Sequence, residues 1–167
     1  MRKRAVPSSL GTKAPQALRV IGVAEYVDFP DWGVTQLSAR IDTGARSSAL
    51  HVENVRELAG SRVRFDVRLR RADVTARVSI ETKVSRRAPV RSSTGQSETR
   101  LFVKAHIRLG GCEQQIELGL VDRRNMLFRM LLGRRALEGR YLVDVTKRYA
   151  LGADAGAKLA KKPAGVR

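Results

Sequence analysis

Residues 62 to 70 read RVRFDVRLR, with Val63, Phe65, Val67 and Leu69 alternating against Arg62, Arg64, Asp66, Arg68 and Arg70. A period of two places the apolar set on one face and the charged set on the other, as in a half-buried strand. The same alternation predicts strands in VTARVSIETK, with Val74, Ala76, Val78 and Ile80 inward, and in ETRLFVKAHIRL, with Leu101, Val103, Ala105, Ile107 and Leu109 inward. Arg71-Ala72-Asp73 and Gly110-Gly111 fall at the hairpin turns between them. Further strands are expected at 19 to 28, 36 to 42, 48 to 52, 113 to 121 and 140 to 145, with another apolar strand ending at Leu131-Leu132-Gly133. Only RRALEGR, after Gly133, reads as a short helix, closed by Gly139. The pattern predicts a small, mainly β domain built as a closed or sandwiched barrel. Residues 83 to 97, KVSRRAPVRSSTGQS, break the alternation between two long strands that otherwise read as hairpin partners. A polar stretch of this size is either a functional element or a plain hairpin tip.

Composition sharpens this picture. A chain of 167 residues with 43% hydrophobic but only 5% aromatic residues has room for one domain whose core is Val, Leu, Ile and Ala. The formal net charge is +17, of which the two ends hold part, leaving roughly +10 for residues 19 to 152. Both ends are rich in Ala, Gly, Pro, Ser and Lys, so residues 1 to 18 and 153 to 167 are expected to be basic flexible tails flanking a domain at 19 to 152. Cys112 is the only cysteine, which excludes an intramolecular disulfide and a four-thiolate zinc site. No apolar run reaches the length of a signal-peptide core or a membrane span, so a cytoplasmic location without membrane contact is expected.

The candidate chemistry sits in ARIDTGARSSALHV, residues 39 to 52, where Asp42-Thr43-Gly44 interrupts strand text with a carboxylate, a hydroxyl and a glycine. A bare Asp-Thr-Gly can also be a surface turn whose carboxylate caps neighbouring amides. The triplet gains weight from FRMLLGRRAL, residues 128 to 137, where an apolar strand passes straight into a helical turn. Together these parts resemble the pepsin-like aspartic peptidases, specifically the retropepsins: Asp42-Thr43-Gly44-Ala45, a flap hairpin around 83 to 97, and Leu131-Leu132-Gly133-Arg134. With STGQSETR, DRRNMLFRMLLGRRAL and YLVDV, the chain from about 20 to 151 is similar to the bacterial retropepsin-like family often labelled "ATP-dependent zinc protease". The resemblance implies a retropepsin-like closed acid-protease barrel with a flap hairpin and one short C-terminal helix. The repeated features of that family carry over to Asp42, Thr43, Gly44, Arg46, His51, Gly95, Glu98, Arg100, Arg123, Met126 and Leu131 to Arg134.

Hydrolysis of a peptide without metal or covalent nucleophile needs one carboxylate to take a proton from water and one carboxylic acid to give a proton to the carbonyl oxygen. One Asp-Thr-Gly supplies half of this, so the second carboxylate is expected from Asp42 of another copy in an isologous homodimer. Asp42, Thr43 and Gly44 are the expected catalytic group, Thr43 bonding across the interface and Gly44 giving backbone access. Arg46, Arg87, Arg91, Gly95 and Glu98 are the expected substrate-binding group. The arginines suit an acidic peptide, since guanidinium groups bind carboxylates in bidentate fashion. Arg46 has three readings: a salt bridge to Glu98, a contact to substrate carboxylate, or a solvated surface residue. His51 and His106, the only histidines, read as surface or packing residues. Despite the family's label, no His-Glu-x-x-His motif and no phosphate loop is present, so neither zinc nor ATP is expected as a cofactor. The resemblance also implies a functional association with ATP-grasp ligases that add glutamate to proteins. Two other readings compete: a basic β domain that binds nucleic-acid phosphates, though without an aromatic stacking platform, and a non-catalytic scaffold on the same fold.

Overall fold

The structure is a computed structural model describing residues 17–69, 76–91 and 97–152. Along the chain lie β1 (Arg19–Ile21), β2 (Ala24–Phe29), a 3₁₀ turn (Pro30–Trp32), β3 (Val34–Asp42), β4 (Ser48–His51), β5 (Glu53–Leu58) and β6 (Arg62–Arg68). Then come β7 (Arg77–Arg91), β8 (Ser97–Leu109), β9 (Cys112–Val121), β10 (Met130–Gly133), α1 (Arg134–Leu137) and β11 (Tyr141–Val143). The protein is mainly β with one short helix.

Strands β2, β3, β10, β4, β9 and β8 are bonded in that order, and β8 pairs back onto β2 at Asp28↔Arg108, closing a barrel. The closure is reinforced by a salt bridge of 3.1 Å between Arg108 and the buried Asp28 carboxylate. The remaining strands β7, β6 and β5 continue outward from β8 as an arm. Its apolar face does not stay in water: Val63, Phe65, Val67 and Ile80 are buried in the same core as the barrel residues. Phe65 meets Trp32 edge-on at 5.8 Å, and Trp32 stacks on Phe29 at 4.8 Å. Each such aromatic or branched side chain contributes about 1.5–3 kcal/mol by leaving water.

The feature that positions the site is the insertion of β10 between β3 and β4, two strands adjacent in the chain. It runs parallel to β3, with Gly133 opposite Asp42, and antiparallel to β4, with Leu131 opposite Ala49. Strands β1 and β11 form a separate parallel pair, Arg19↔Tyr141 to Ile21↔Val143. The fully buried Glu25 accepts the amides of Gly22, Ala150 and Leu151, so the segment after β11 is tied back onto β2.

Two strand expectations change. The stretch expected as one strand at 19 to 28 is split into β1 and β2 at Gly22, where a Cβ would lie 2.5 Å from the Lys147 carbonyl oxygen. Within the stretch expected as a break at 83 to 97, the described residues 83–91 are strand, with pairing that runs from Arg87↔Leu101 to Arg91↔Ser97, while 92–96 lie outside the described residues. A bulge between Val84 and Arg86 shifts the phase of the alternation by one residue, which hides a continuous strand from a period-two reading. The hairpin turn expected at Arg71-Ala72-Asp73, the inward Val74, Gly95 and, apart from residues 17 and 18, both tails lie outside the described residues. No described helix is long and apolar enough to cross a membrane.

Candidate active site

Asp42 ends β3, one residue past the inward-facing Ile41, so the alternation turns its side chain to the outer face of the barrel. Its Oδ1 accepts the backbone N–H groups of Gly44 and Ala45, each at 3.1 Å, while Oδ2 accepts no hydrogen bond among the described residues. The carboxylate is therefore fixed through one oxygen and open through the other. A Cβ on Gly44 would stand 3.3 Å from Oδ1, closer than an ordinary contact.

The loop after Asp42 is held from beneath by the β10 to α1 junction. Arg134 donates from its guanidinium to the carbonyls of Thr43 (3.0 Å) and Gly44 (2.9 Å), and from its backbone N–H to Ala45 (2.9 Å). Gly133 donates to the Ser48 hydroxyl at 3.1 Å, and any side chain at 133 would collide with the Ser47 carbonyl, 2.5 Å from where its Cβ would sit. Leu-Leu-Gly-Arg is thus a cradle for Asp-Thr-Gly: two apolar anchors, a glycine that permits contact, and an arginine that binds the loop's carbonyls. Thr43 is exposed and Gly44 faces solvent beside it.

The other expected site residues separate into two places. Arg46 is exposed, and its backbone carbonyl accepts the Arg135 N–H at 3.3 Å. Glu98 pairs with Arg100, not with Arg46. Arg87 is ion-paired with Glu57 on the arm, and the neighbouring Arg86 lies 3.7 Å over the Phe102 ring while its guanidinium holds Glu117 at 2.9 Å. That pairing keeps the Glu117 carboxyl below the ordinary range, the Arg86 hydrogen bond being the largest cause. Arg91 is placed by its backbone pairing with Ser97. Arg87, Glu98 and Arg100 line a cleft of about 860 Å³ between the arm and the ends of β8 and β9, with Glu53, Arg68 and Asp122 among its other walls. Asp42 is not part of its lining.

Arg123, given no role by sequence reasoning, lies within electrostatic reach of Asp42. Arg123 is half-buried; its guanidinium is pushed down from the ordinary arginine value first by burial and then by the like charge of Arg100, with Asp42 drawing it back up. Its segment is pinned by His51, which is fully buried and accepts the Arg123 N–H on Nδ1 at 2.8 Å. With Nδ1 used as acceptor, the neutral ring carries its proton on Nε2, which faces Glu53 at 3.4 Å; Glu53 in turn holds Arg68 at 2.6 Å. His51 is a packing residue as expected, but with a specific polar task. Those partners leave it no lone pair for a metal. Among the described residues no group of three or more His, Cys, Asp or Glu side chains could hold an ion, so the donor set does not fit the zinc in the family's label.

With this geometry in hand, the resemblances become informative. A model of the family described as RimB-like, retropepsin-like aspartic endopeptidase RimB, matches residues 20–153. The chain is 37% identical over 136 residues to a protein from Shewanella pealeana named probable alpha-L-glutamate ligase, covering 80% of this chain and 30% of that protein. It is 34% identical over 139 residues to a protein of the same name from Desulfotalea psychrophila, covering 81% of this chain and 30% of the relative. The chain therefore spans less than a third of the length of these relatives. A crystal structure of a Legionella pneumophila protein of unknown function aligns with a TM-score of 0.67 at 27% identity, over 81% of this chain and 99% of that one.

Proposed function

The chain belongs to the RimB-like family of retropepsin-like aspartic endopeptidases, and from that premise we propose that it is an aspartic-type peptidase acting on acidic or glutamate-rich peptides. The observation that carries the reading is the asymmetric fixing of Asp42, with Oδ1 tied to two amides and Oδ2 open. An open oxygen on a rigidly held carboxylate is what a general base requires.

The chain contributes one such carboxylate, so the working unit is a homodimer with two Asp42 side chains facing each other and sharing one proton. Water attacks the peptide carbonyl as the ionised Asp42 takes its proton, and the protonated partner gives its proton to the carbonyl oxygen. Collapse of the tetrahedral intermediate breaks the C–N bond, with a proton passing to the leaving nitrogen. Arg46, Arg87, Arg91, Gly95 and Glu98 remain the candidate substrate contacts around this centre. The relatives' name suggests a role beside an ATP-grasp ligase that appends glutamate, the peptidase trimming what the ligase builds. A cytoplasmic setting suits that pairing. Nucleic-acid binding is less favoured, because no aromatic stacking platform accompanies the outer-face arginines, which are partly engaged by Glu81 and Glu117.

The test is to incubate wild type and Asp42→Asn with acidic and mixed peptide libraries and to identify products by mass spectrometry. Products formed by wild type alone support the reading. Equal cleavage by both chains would sink it, and a chain that stays monomeric while cleaving would remove the shared-carboxylate step.

A further inference from the structure

We propose that Arg123 and Arg100 form a carboxylate-binding subsite beside Asp42, where an acidic group of the substrate is held next to the bond to be cut. The proposal rests on the peptidase reading and deepens it, since neither arginine has so far been given a role.

Strand alternation places the parts on one surface. Leu118 and Leu120 face the core, so Gly119 takes the opposite face of the sheet; Val103 faces the core, so Phe102, buried under Arg86, and Arg100 share that face with it. Gly119 is in register with Ala49 on one side and with Phe102 on the other. The Arg100 Cδ lies 2.8 Å from the position of a Cβ on Gly119, so the arginine stem runs directly over bare backbone. A small residue here is what lets that side chain lie flat along the sheet instead of rising into solvent. Asp42 opens onto this same outer face, and Arg123 is brought to it by the segment after β9, anchored through His51.

The guanidinium donors in this arrangement are not all used. Arg123 is disfavoured by the Arg100 charge and favoured by that of Asp42, and its Nε reaches no closer acceptor than the Phe128 carbonyl at 3.4 Å. Arg100 is met on one side by the exposed Glu98, while its Nε is buried without a hydrogen-bond acceptor. Two guanidinium groups held near each other at partial burial are costly unless an anion joins them. A carboxylate is the anion whose planar geometry matches their donor pairs. The cleft walled by Arg100 gives an extended peptide a path toward the subsite. Two sources supply a carboxylate, a glutamate side chain and a peptide's C-terminus, and the structure favours neither.

Binding can be read without turnover by placing the substitutions in an Asp42→Asn background and measuring fluorescence anisotropy with a labelled Glu-rich peptide and its Gln counterpart. Each peptide is made with a free and an amidated C-terminus. Arg123→Met and Arg100→Met are each expected to weaken the free or amidated Glu peptide on the order of tenfold to a hundredfold while leaving the fully neutral peptide unchanged. If the loss follows Glu-to-Gln replacement, the subsite reads a side chain; if it follows amidation, it reads the terminus, and both support the subsite. Should Arg123→Met fail to fold, as judged by its melting curve, Arg123→Lys keeps the charge without the fork. Gly119→Ala displaces the Arg100 stem without altering any charge; both are expected to lower the same preference. Equal losses on charged and neutral peptides, or an unchanged preference in the arginine variants, would overturn the proposal. Arginine-dependent binding in the Asp42→Asn background, together with a chain that keeps Asp42 and cleaves nothing, would instead remove the peptidase reading and keep the subsite, whereas cleavage with an undiminished acidic preference by arginine variants that keep Asp42 would do the reverse.

Discussion

The Asp42 loop and the β5–β6–β7 arm are both polar and both border the outside of the barrel, but they are held by different means. In the loop, Oδ1 of Asp42, the carbonyls of Thr43, Gly44 and Ala45, and the Gly133 N–H are engaged by fixed groups at hydrogen-bond distance, with backbone on at least one side of each contact. In the arm, the outer surface is held by side-chain pairs such as Arg62 and Arg64 with Glu81, and Arg87 with Glu57. Backbone contacts fix an atom to within a few tenths of an ångström and tolerate few residue types. Exposed ion pairs tolerate exchange, because solvent screens them and both partners lose side-chain freedom. A carboxylate that has to meet reacting atoms belongs in the first kind of environment, and a surface that has only to stay soluble can use the second.

Substitutions can stress this contrast, beginning where it should be sharpest. Gly133→Ala drives a Cβ toward the Ser47 carbonyl at 2.5 Å, and backbone cannot swing aside as a side chain can. We expect a loss of about 3 kcal/mol in urea unfolding, the upper end of overpacking costs. His51→Leu removes the acceptor for the Arg123 N–H and the contact to Glu53 in a fully buried position and should cost about 2 kcal/mol, with NMR shifts confined to the Arg123 segment and the start of β5. Shifts of the same size in the Asp42 loop would show the two regions to be one unit. Arg134→Met takes away two guanidinium bonds to the Thr43 and Gly44 carbonyls from an exposed position, so about 1 kcal/mol is expected in stability with a larger fall in any peptidase rate. By contrast, Arg87→Ser on the arm should change stability by well under ~1 kcal/mol, since both members of its pair are about half exposed. A large effect there would break the distinction drawn above.

How much of this was open to a reader of the chain follows the same division. Alternation reveals β6 and β8 because Val63, Phe65 and Val67, and Val103, Ala105 and Ile107, bury one face cleanly. It does not reveal β5, whose residues Asn54 to Glu57 are all exposed: an edge strand with no buried face has no period to find. Nor could it reveal that the barrel closes through the pairing of Asp28 with Arg108, eighty residues along the chain. In the site, Asp42 to Gly44 and Leu131 to Arg134 were legible because their tasks are local and demand particular residue types. Arg100 and Arg123 were marked by the family resemblance but had no role in a chain with 33 Lys and Arg, and only the register of β4, β9 and β8 brings their positions into relation. The lone hydrogen bond from the Arg123 amide to His51, 72 residues away, carries no local signal at all.

The smallest expected effect concerns a carboxylate built like Asp42 but without its glycine. Asp144 accepts the Thr146 N–H two residues on, as Asp42 accepts that of Gly44, and is held down to about 2 first by the Thr146 hydroxyl and then by Lys147. A depressed value in the folded chain favours folding above the ordinary 3.8 and ceases to do so as pH falls through about 2. Asp144→Asn should therefore melt slightly below wild type at neutral pH, and the two melting temperatures should converge between pH 3.8 and about 2. A gap that persisted through that window would mean the asparagine is disturbing the turn itself and not merely losing charge.

The parallel pairing of β1 with β11 also determines how the molecule bears mechanical load. Tension entering at Arg19 and leaving past Val143 drags two parallel strands along each other, so the bonds from Arg19 N–H to Arg140, Asp144 N–H to Ile21 and Val23 N–H to Lys147 are strained together and not one after another. Shear of this kind resists extension far better than peeling does, and the rate at which the clamp yields sets the lifetime under force. A molecular motor or force probe pulling from the C-terminal side would first meet the Glu25 bonds to Ala150 and Leu151, so the tie onto β2 and the β1–β11 clamp share the load.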